Sequence, residues 1–279
     1  GVVTELSFFG PELVYFPHRE PWIKRPVIES EEDIEKIGDI DFFENPSMKR
    51  IHMYYEQISE LLDGQLKVMF PSWVRGPFCI AAHLVGLEEM MCYMLTDPEF
   101  VHKLMRWVTD NIKKWTTARS KFTGEAITPG MLYNDEVGVP SISPELYKEF
   151  ILPYEIELSE FYGGIRYWHS CGNTTDIIEH IAKIPNLALF HVSPWADEKV
   201  AAKILAPKGT ALDVCLDPER DLYMADDDHI RHRLSELREN LSGVRWSPRY
   251  DAIQPRGKAS YCLETVKRAD RLSMEIFGE

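Results

Sequence analysis

The sequence predicts an α/β chain built as a (β/α)8 barrel whose first βα unit is absent or altered. Three observations carry this. In the second half of the chain, short apolar strands alternate with helical patterns at the spacing of βα units, which builds a parallel sheet. Several strands end in polar or ligand-type residues, namely Asp135, His169, His191, Cys215, Arg249 and Asp251. An eight-stranded barrel assembles its active site from such carboxyl-terminal strand ends. Finally, 279 residues with 44% apolar content suffice for one barrel domain of roughly 250 residues. About six or seven strands are legible where a closed barrel has eight, hence the altered first unit.

Residues 1–30 are rich in Pro and aromatic side chains without a clean period and read as an irregular lead-in. Residues 31–279 read as a single domain. Ser30 followed by Glu31, Glu32 and Asp33 has the form of a helix cap with acids in the first turn. A helix is expected over 46–63, stopped by Gly64, then a short strand over 67–70. A loop carrying Arg75 leads to a helix running to about Thr96, and Asp97-Pro98 opens the next. A strand delivers Asn134, Asp135 and Glu136; Ser143-Pro144 begins a helix that Pro153 kinks or splits. Strands follow over 165–169, 187–192, 210–215 and 244–247. Helices follow over 176–183, 199–205, 227–241 and 258–277.

The segment Tyr167-Trp168-His169-Ser170-Cys171-Gly172-Asn173 carries the most chemistry. Residues two apart on a strand share a face, so His169 and Cys171 are delivered together. An imidazole and a thiolate on one face are ligands for a borderline-soft metal, zinc above all. A buried cysteine beside a hydrogen-bonded histidine is the plain alternative. Asp135 and Glu136 are placed near the metal, to take a proton from a thiol or hydroxyl or to add a ligand. His191 is a candidate for substrate contact. Trp73, Trp168 and Trp195 are candidates to line an apolar pocket, and Arg75 to bind an anionic group. Cys79 and Cys92 read as core fillers, and Asp226-Asp227-Asp228 as a helix cap.

The net charge of −14, with scattered basic residues, argues against nucleic acid and anionic membrane partners. No apolar run approaches the roughly 18 residues of a membrane span, and no secretory leader is visible. Five cysteines, an odd number in a chain too large to need staples, point to a reducing cytoplasm. A homodimer is a further expectation.

The order RGPFCIAAHLVG, DPEFVHKLM, SPELYKEFILPY, HSCGN and LDVCLDP resembles the uroporphyrinogen decarboxylase superfamily. Within it, the chain resembles the corrinoid-linked methyltransferase branch. The resemblance runs from about residue 28 to the end. It implies a (β/α)8 barrel and a zinc ion held by a His-x-Cys pair, matched by His169 and Cys171, with a further Cys later in the chain. At that later place the sequence carries Asp251; Cys215, also at a strand end, competes as third ligand. The resemblance implies methyl transfer between a small methylated substrate or a thiol and a corrinoid (cobalamin), free or on a corrinoid protein. Arg75 and Trp195 are the residues assigned to the cofactor side. Two other readings are a metal-independent decarboxylase, whose arginine-rich loop has no counterpart here, and a non-catalytic corrinoid- or tetrapyrrole-binding barrel.

Overall fold

The structure is a computed structural model describing residues 3–250 and 259–278. Its centre is a five-stranded parallel sheet in the order β3-β4-β5-β6-β7: β3 (Gly130–Tyr133), β4 (Ile165–His169), β5 (Leu189–Val192), β6 (Ala211–Leu216) and β7 (Trp246–Tyr250). Chain order equals spatial order, the arrangement of successive βα units in a barrel wall. Among the described residues the ring does not close. Tyr133 N donates to the Val74 carbonyl at 2.9 Å and Gly76 N to the Tyr133 carbonyl at 3.0 Å. This parallel bridge at Arg75 extends the sheet beyond β3. The expected strand over 67–70 makes no sheet pairing; the chain pairs only where Arg75 reaches Tyr133.

Ahead of the sheet lie α1 (Val3–Phe8), a small hairpin of β1 (Leu13–Val14) and β2 (Trp22–Ile23), α2 (Glu31–Ile37) and α3 (Pro46–Leu62). The lead-in thus contains a helix that its uneven apolar pattern conceals. Leu6, Phe8, Phe9 and Ile28 join the main core. Ser30 stands at the N-cap of α2 with extended backbone but makes no side-chain cap bond. Asn45 caps α3 by accepting from Ser47 N and Met48 N. The helix expected up to Thr96 is two, α4 (Pro77–Val85) and α5 (Leu87–Thr96), bent by 101°. Gly86 makes the corner with φ of +109°, a conformation L side chains rarely adopt. No single described helix is long and apolar enough to cross a membrane; this bent pair alone passes by length and composition. Then come α6 (Pro98–Thr123), capped by Asp97, and α7 (Pro144–Leu146), capped by Ser143. A π-helical turn (Tyr147–Ile151) joins α7 to α8 (Leu152–Tyr162), so the break expected at Pro153 takes the form of a wider turn just before it.

Between the later strands lie α9 (Ile178–Ile181), α10 (Glu198–Leu205) and α11 (Asp227–Asn240), and α12 (Ala259–Phe277) closes the chain. Asp226 caps α11 by accepting from His229 N, with Asp227 and Asp228 in its first turn. Strand alternation sorts the sheet into two faces. Trp168 and Phe190 pair in register and stack with ring centroids 5.3 Å apart, both fully buried. In the parallel registers Tyr133 faces His169, and His191 faces Asp213. The carboxyl ends of the strands are therefore polar over an apolar base.

Candidate metal centre

Asp135 follows β3, His169 ends β4, and Cys171 lies two residues further on. Because β3 and β4 pair with Tyr133 opposite His169, the chain just past β3 runs beside the His169–Cys171 segment. His169 Nε2 lies 3.3 Å from Cys171 Sγ and 3.2 Å from Asp135 Oδ1, and Cys171 Sγ lies 3.4 Å from Asp135 Oδ1. Tetrahedral zinc, with bonds of about 2.0 Å to N and O and about 2.3 Å to S, sets its donors about 3.3–3.6 Å apart. The three atoms match that spacing closely. Among the described residues, this is the one group of three or more such side chains that could hold an ion. His169 is buried while Asp135 and Cys171 reach solvent, so a fourth position would face outward.

His169 and Asp135 are each held from behind. Tyr167 OH donates to Asp213 Oδ2 at 2.6 Å and accepts from Arg249 NH1 at 2.9 Å; it lies 3.5 Å from His169 Nδ1. Arg249 also binds Asp213 at 2.9 Å. With its hydrogen committed to Asp213, the tyrosine oxygen accepts from Nδ1–H of His169, which leaves the Nε2 lone pair facing Asp135 and Cys171. His191 stacks on His169 with centroids 4.2 Å apart. Its Nδ1 donates to the Ser170 carbonyl at 2.9 Å. Burial, with the neighbouring His169, pushes His191 down to about 4. It is therefore neutral near pH 7 and adds no repulsion to a cation held by His169.

Burial raises the carboxyl of Asp135, but hydrogen bonding and charge from His169 and the charge of Arg75 outweigh it and hold the group low. Arg75 is itself buried. Its NH2 meets Asp135 Oδ2 at 3.2 Å and its NH1 meets Glu136 Oε2 at 3.3 Å. His83 Nε2 approaches Glu136 Oε1 at 2.5 Å. Burial raises Glu136 too, yet His83, Cys79 and Arg75 keep it below the ordinary carboxylate value, so it is ionised and a weak base. The unforeseen helix α1 takes part here. Glu5 accepts from Val74 N at 2.5 Å and Arg75 N at 3.2 Å, fixing the backbone that carries Arg75.

The structure sorts the expected residues. Asp135, His169 and Cys171 converge; Asp251 lies outside the described residues. Cys215 is buried on β6, its thiol 3.5 Å from the Leu216 carbonyl, and it is not in the converging group. Arg75, assigned to an anionic ligand, is turned to the protein's own carboxylates. Trp195 is exposed on the loop after β5, and Trp168 packs on the opposite face of the sheet from His169. Trp73 does line a cavity of about 410 Å³, with Met48, Trp115, Tyr133, Arg75 and Asp135. Cys79 is buried as a core filler, but Cys92 is exposed on α5.

The sequence signature described as "Uroporphyrinogen decarboxylase (URO-D)" matches residues 1–250. The chain belongs to this family. Within and around the URO-D family, it is 25% identical over 183 residues to a methylated-thiol--coenzyme M methyltransferase of Methanosarcina mazei, covering 64% of this chain and 47% of that one. It is 23% identical over 227 residues to a uroporphyrinogen decarboxylase of Thermodesulfovibrio yellowstonii, covering 78% and 61%. A uroporphyrinogen decarboxylase of Corynebacterium diphtheriae is 24% identical over 242 residues, covering 85% and 66%. The chain thus spans about half to two thirds of the length of these curated relatives. A solved methyltransferase from Methanosarcina mazei superposes with a TM-score of 0.71 over 99% of this chain and 78% of that one; at 15% identity this speaks for the fold.

The residue that sequence reasoning left out is Glu155 on α8. It is fully buried and accepts from Asn134 Nδ2 at 2.7 Å, Tyr147 OH at 2.5 Å and Trp168 Nε1 at 3.1 Å. A Glu on a largely apolar helix was the available signal. Burial pushes its carboxyl up to about 7 from an ordinary 4.5, against the pull of those three bonds. Between these values the unfolded chain ionises Glu155 while the folded chain keeps it protonated. Stability should therefore fall as pH rises through this window, by about 3 kcal/mol in all. Urea unfolding of Glu155→Gln should lack that part of the slope; an identical slope in the variant would refute the assignment.

Proposed function

We propose that the chain moves a methyl group between a small methylated substrate or thiol and a corrinoid, using zinc held by Asp135, His169 and Cys171. The observation that carries this reading is the near-equilateral triangle of donor atoms, 3.2, 3.3 and 3.4 Å on its sides. The likeness to a methylated-thiol--coenzyme M methyltransferase supports it. When bound, zinc supplies Lewis acidity that lowers the pKa of a thiol or polarises a methylated heteroatom, and the corrinoid carries the methyl group.

The chain's own residues do the rest. Tyr167, Asp213 and His191 fix the plane and tautomer of His169. Arg75 holds Asp135 and Glu136, so Glu136 anchors the site instead of serving as its base. His191 braces the ligand imidazole rather than meeting substrate. The cavity beside Asp135, walled by Met48, Trp73 and Trp115, suits the apolar body of a small methylated compound. Trp195 and Met224, exposed after β5 and β6 respectively, offer apolar side chains that a corrinoid face or its carrier protein would meet. The odd number of cysteines in a chain of this size suits a reducing cytoplasm.

A decarboxylase reading needs cations free to hold substrate carboxylates. At the described strand ends Arg75 faces Asp135 and Glu136, and Arg249 faces Asp213. The metal reading is tested by elemental analysis and chelator competition on wild type, Asp135→Ala and Cys215→Ala. We expect about one zinc per chain, at least ~10-fold weaker binding in Asp135→Ala, and binding near wild type in Cys215→Ala. The reverse order would move the third ligand to Cys215. Zinc without transfer to or from any cobalamin would favour a non-catalytic barrel.

A further inference from the structure

We propose that Glu155 is a positioning residue for the metal centre: one buried carboxylate, beneath the sheet, registers the two strand ends that carry Asp135 and His169. The proposal rests on the zinc reading above. Asn134 immediately precedes Asp135, and Trp168 immediately precedes His169; both donate to Glu155. Asn134 is also tied across the strands, its backbone N–H donating to the His169 carbonyl at 2.7 Å. Side chains alternate along a strand, so holding Trp168 from below sets where His169 points above. Metal donors tolerate displacements of only a few tenths of an ångström, and a shift of Asn134 is passed directly to its neighbour Asp135.

The choice of a carboxylate follows from its three partners. Asn134 Nδ2, Tyr147 OH and Trp168 Nε1 all present hydrogens, and above about pH 7, where Glu155 ionises in the folded chain, its carboxylate is acceptor-only with about four lone-pair sites. An amide of the same shape replaces one oxygen with a donor and faces at least one like group. A Leu would remove the burial penalty of the charge but leave three buried donors unpaired. Core filling alone gives no reason for an acid at this position; holding three donors at once does.

The test measures zinc affinity by chelator competition, beside urea midpoints, on the full chain as wild type, Glu155→Gln, Trp168→Phe, Tyr147→Phe and Ser159→Ala. Ser159 lies on the same helix and is buried, bonded to the Pro185 carbonyl at 2.5 Å, but touches neither strand-end residue. Glu155→Gln should bind zinc ~10- to 100-fold more weakly, as loss of an outer-shell partner typically does. Trp168→Phe should shift in the same direction by less. Ser159→Ala should lose stability while its zinc affinity stays within about two-fold of wild type. Folded Glu155→Gln and Trp168→Phe proteins with unchanged zinc affinity would overturn the proposal. Should Glu155→Gln fail to fold, Trp168→Phe and Tyr147→Phe, each removing one donor, decide it by the same measure. A wild type that takes up no zinc would sink the metal reading itself, and the proposal with it.

Discussion

Cys171→Ala is expected to abolish stoichiometric zinc binding while leaving the fold nearly untouched. The thiol is exposed, so its removal opens no core cavity and should change stability by less than about 0.5 kcal/mol. Its distances of 3.3 and 3.4 Å to the other donors make it one of three vertices, and two donors hold zinc poorly. Affinity should drop more than ~100-fold, beyond the range of an outer-shell change. His169→Ala should remove zinc as fully, but at a cost in stability, because that ring is buried between Tyr133 and His191. Elemental analysis of the purified variants reads this directly. Zinc retained at one per chain in Cys171→Ala would show that the triangle is not the site.

Among the described glycines, Gly76→Ala should be the most damaging, for its added Cβ has the shortest contact. A Cβ there would stand 1.9 Å from Asn134 Oδ1 and 2.9 Å from its Cγ. Asn134 has nowhere to retreat, being fully buried and tied to Glu155. The backbone of Gly76 is ordinary extended chain, so the glycine is needed for the close approach alone. Overpacking of this kind costs about 1–3 kcal/mol, and disturbing a buried hydrogen bond to a charged group adds about as much again. We expect a loss of about 3–4 kcal/mol with weakened zinc binding. Gly209→Ala is the contrast: no atom lies within 4 Å of its added Cβ, so only its φ of +84° resists the change. Urea melts of the two variants side by side would check this, and equal losses would mean that Asn134 moves freely.

β4, β5 and β6 were legible because each is a short, largely apolar run bounded by turn residues; β7 (Trp246–Tyr250) starts two residues later than the expected 244–247 and runs to Tyr250, because its Ser247, Pro248 and Arg249 carry no apolar pattern. The His169–Cys171 pair was legible because strand periodicity is local. The candidate third donor, Asp135, was not. Family resemblance pointed to Asp251 and strand-end position to Cys215, whereas Asp135 reaches the pair through the register of β3 on β4, which no local pattern encodes. From the sequence, Asp135 reads as a strand-end acid near the metal that either takes a proton or adds a ligand. The failure of 67–70 to pair shares this origin, since pairing depends on what lies opposite in space; the break at Gly86 had a local mark, a glycine inside an apolar helical run. Glu155 escaped notice because its three partners come from three separate segments.

The three candidate donors lie at the carboxyl ends of a single pair of neighbouring strands, β3 and β4, with the helical crossover between them. A metal bound there would act as a clasp on one βαβ module and leave the rest of the sheet unclasped. Metal uptake should then slow amide hydrogen exchange in β3 and β4 far more than in β6 and β7. Such a clasp would tolerate changes at the far end of the sheet, where loops could vary without disturbing the three donors.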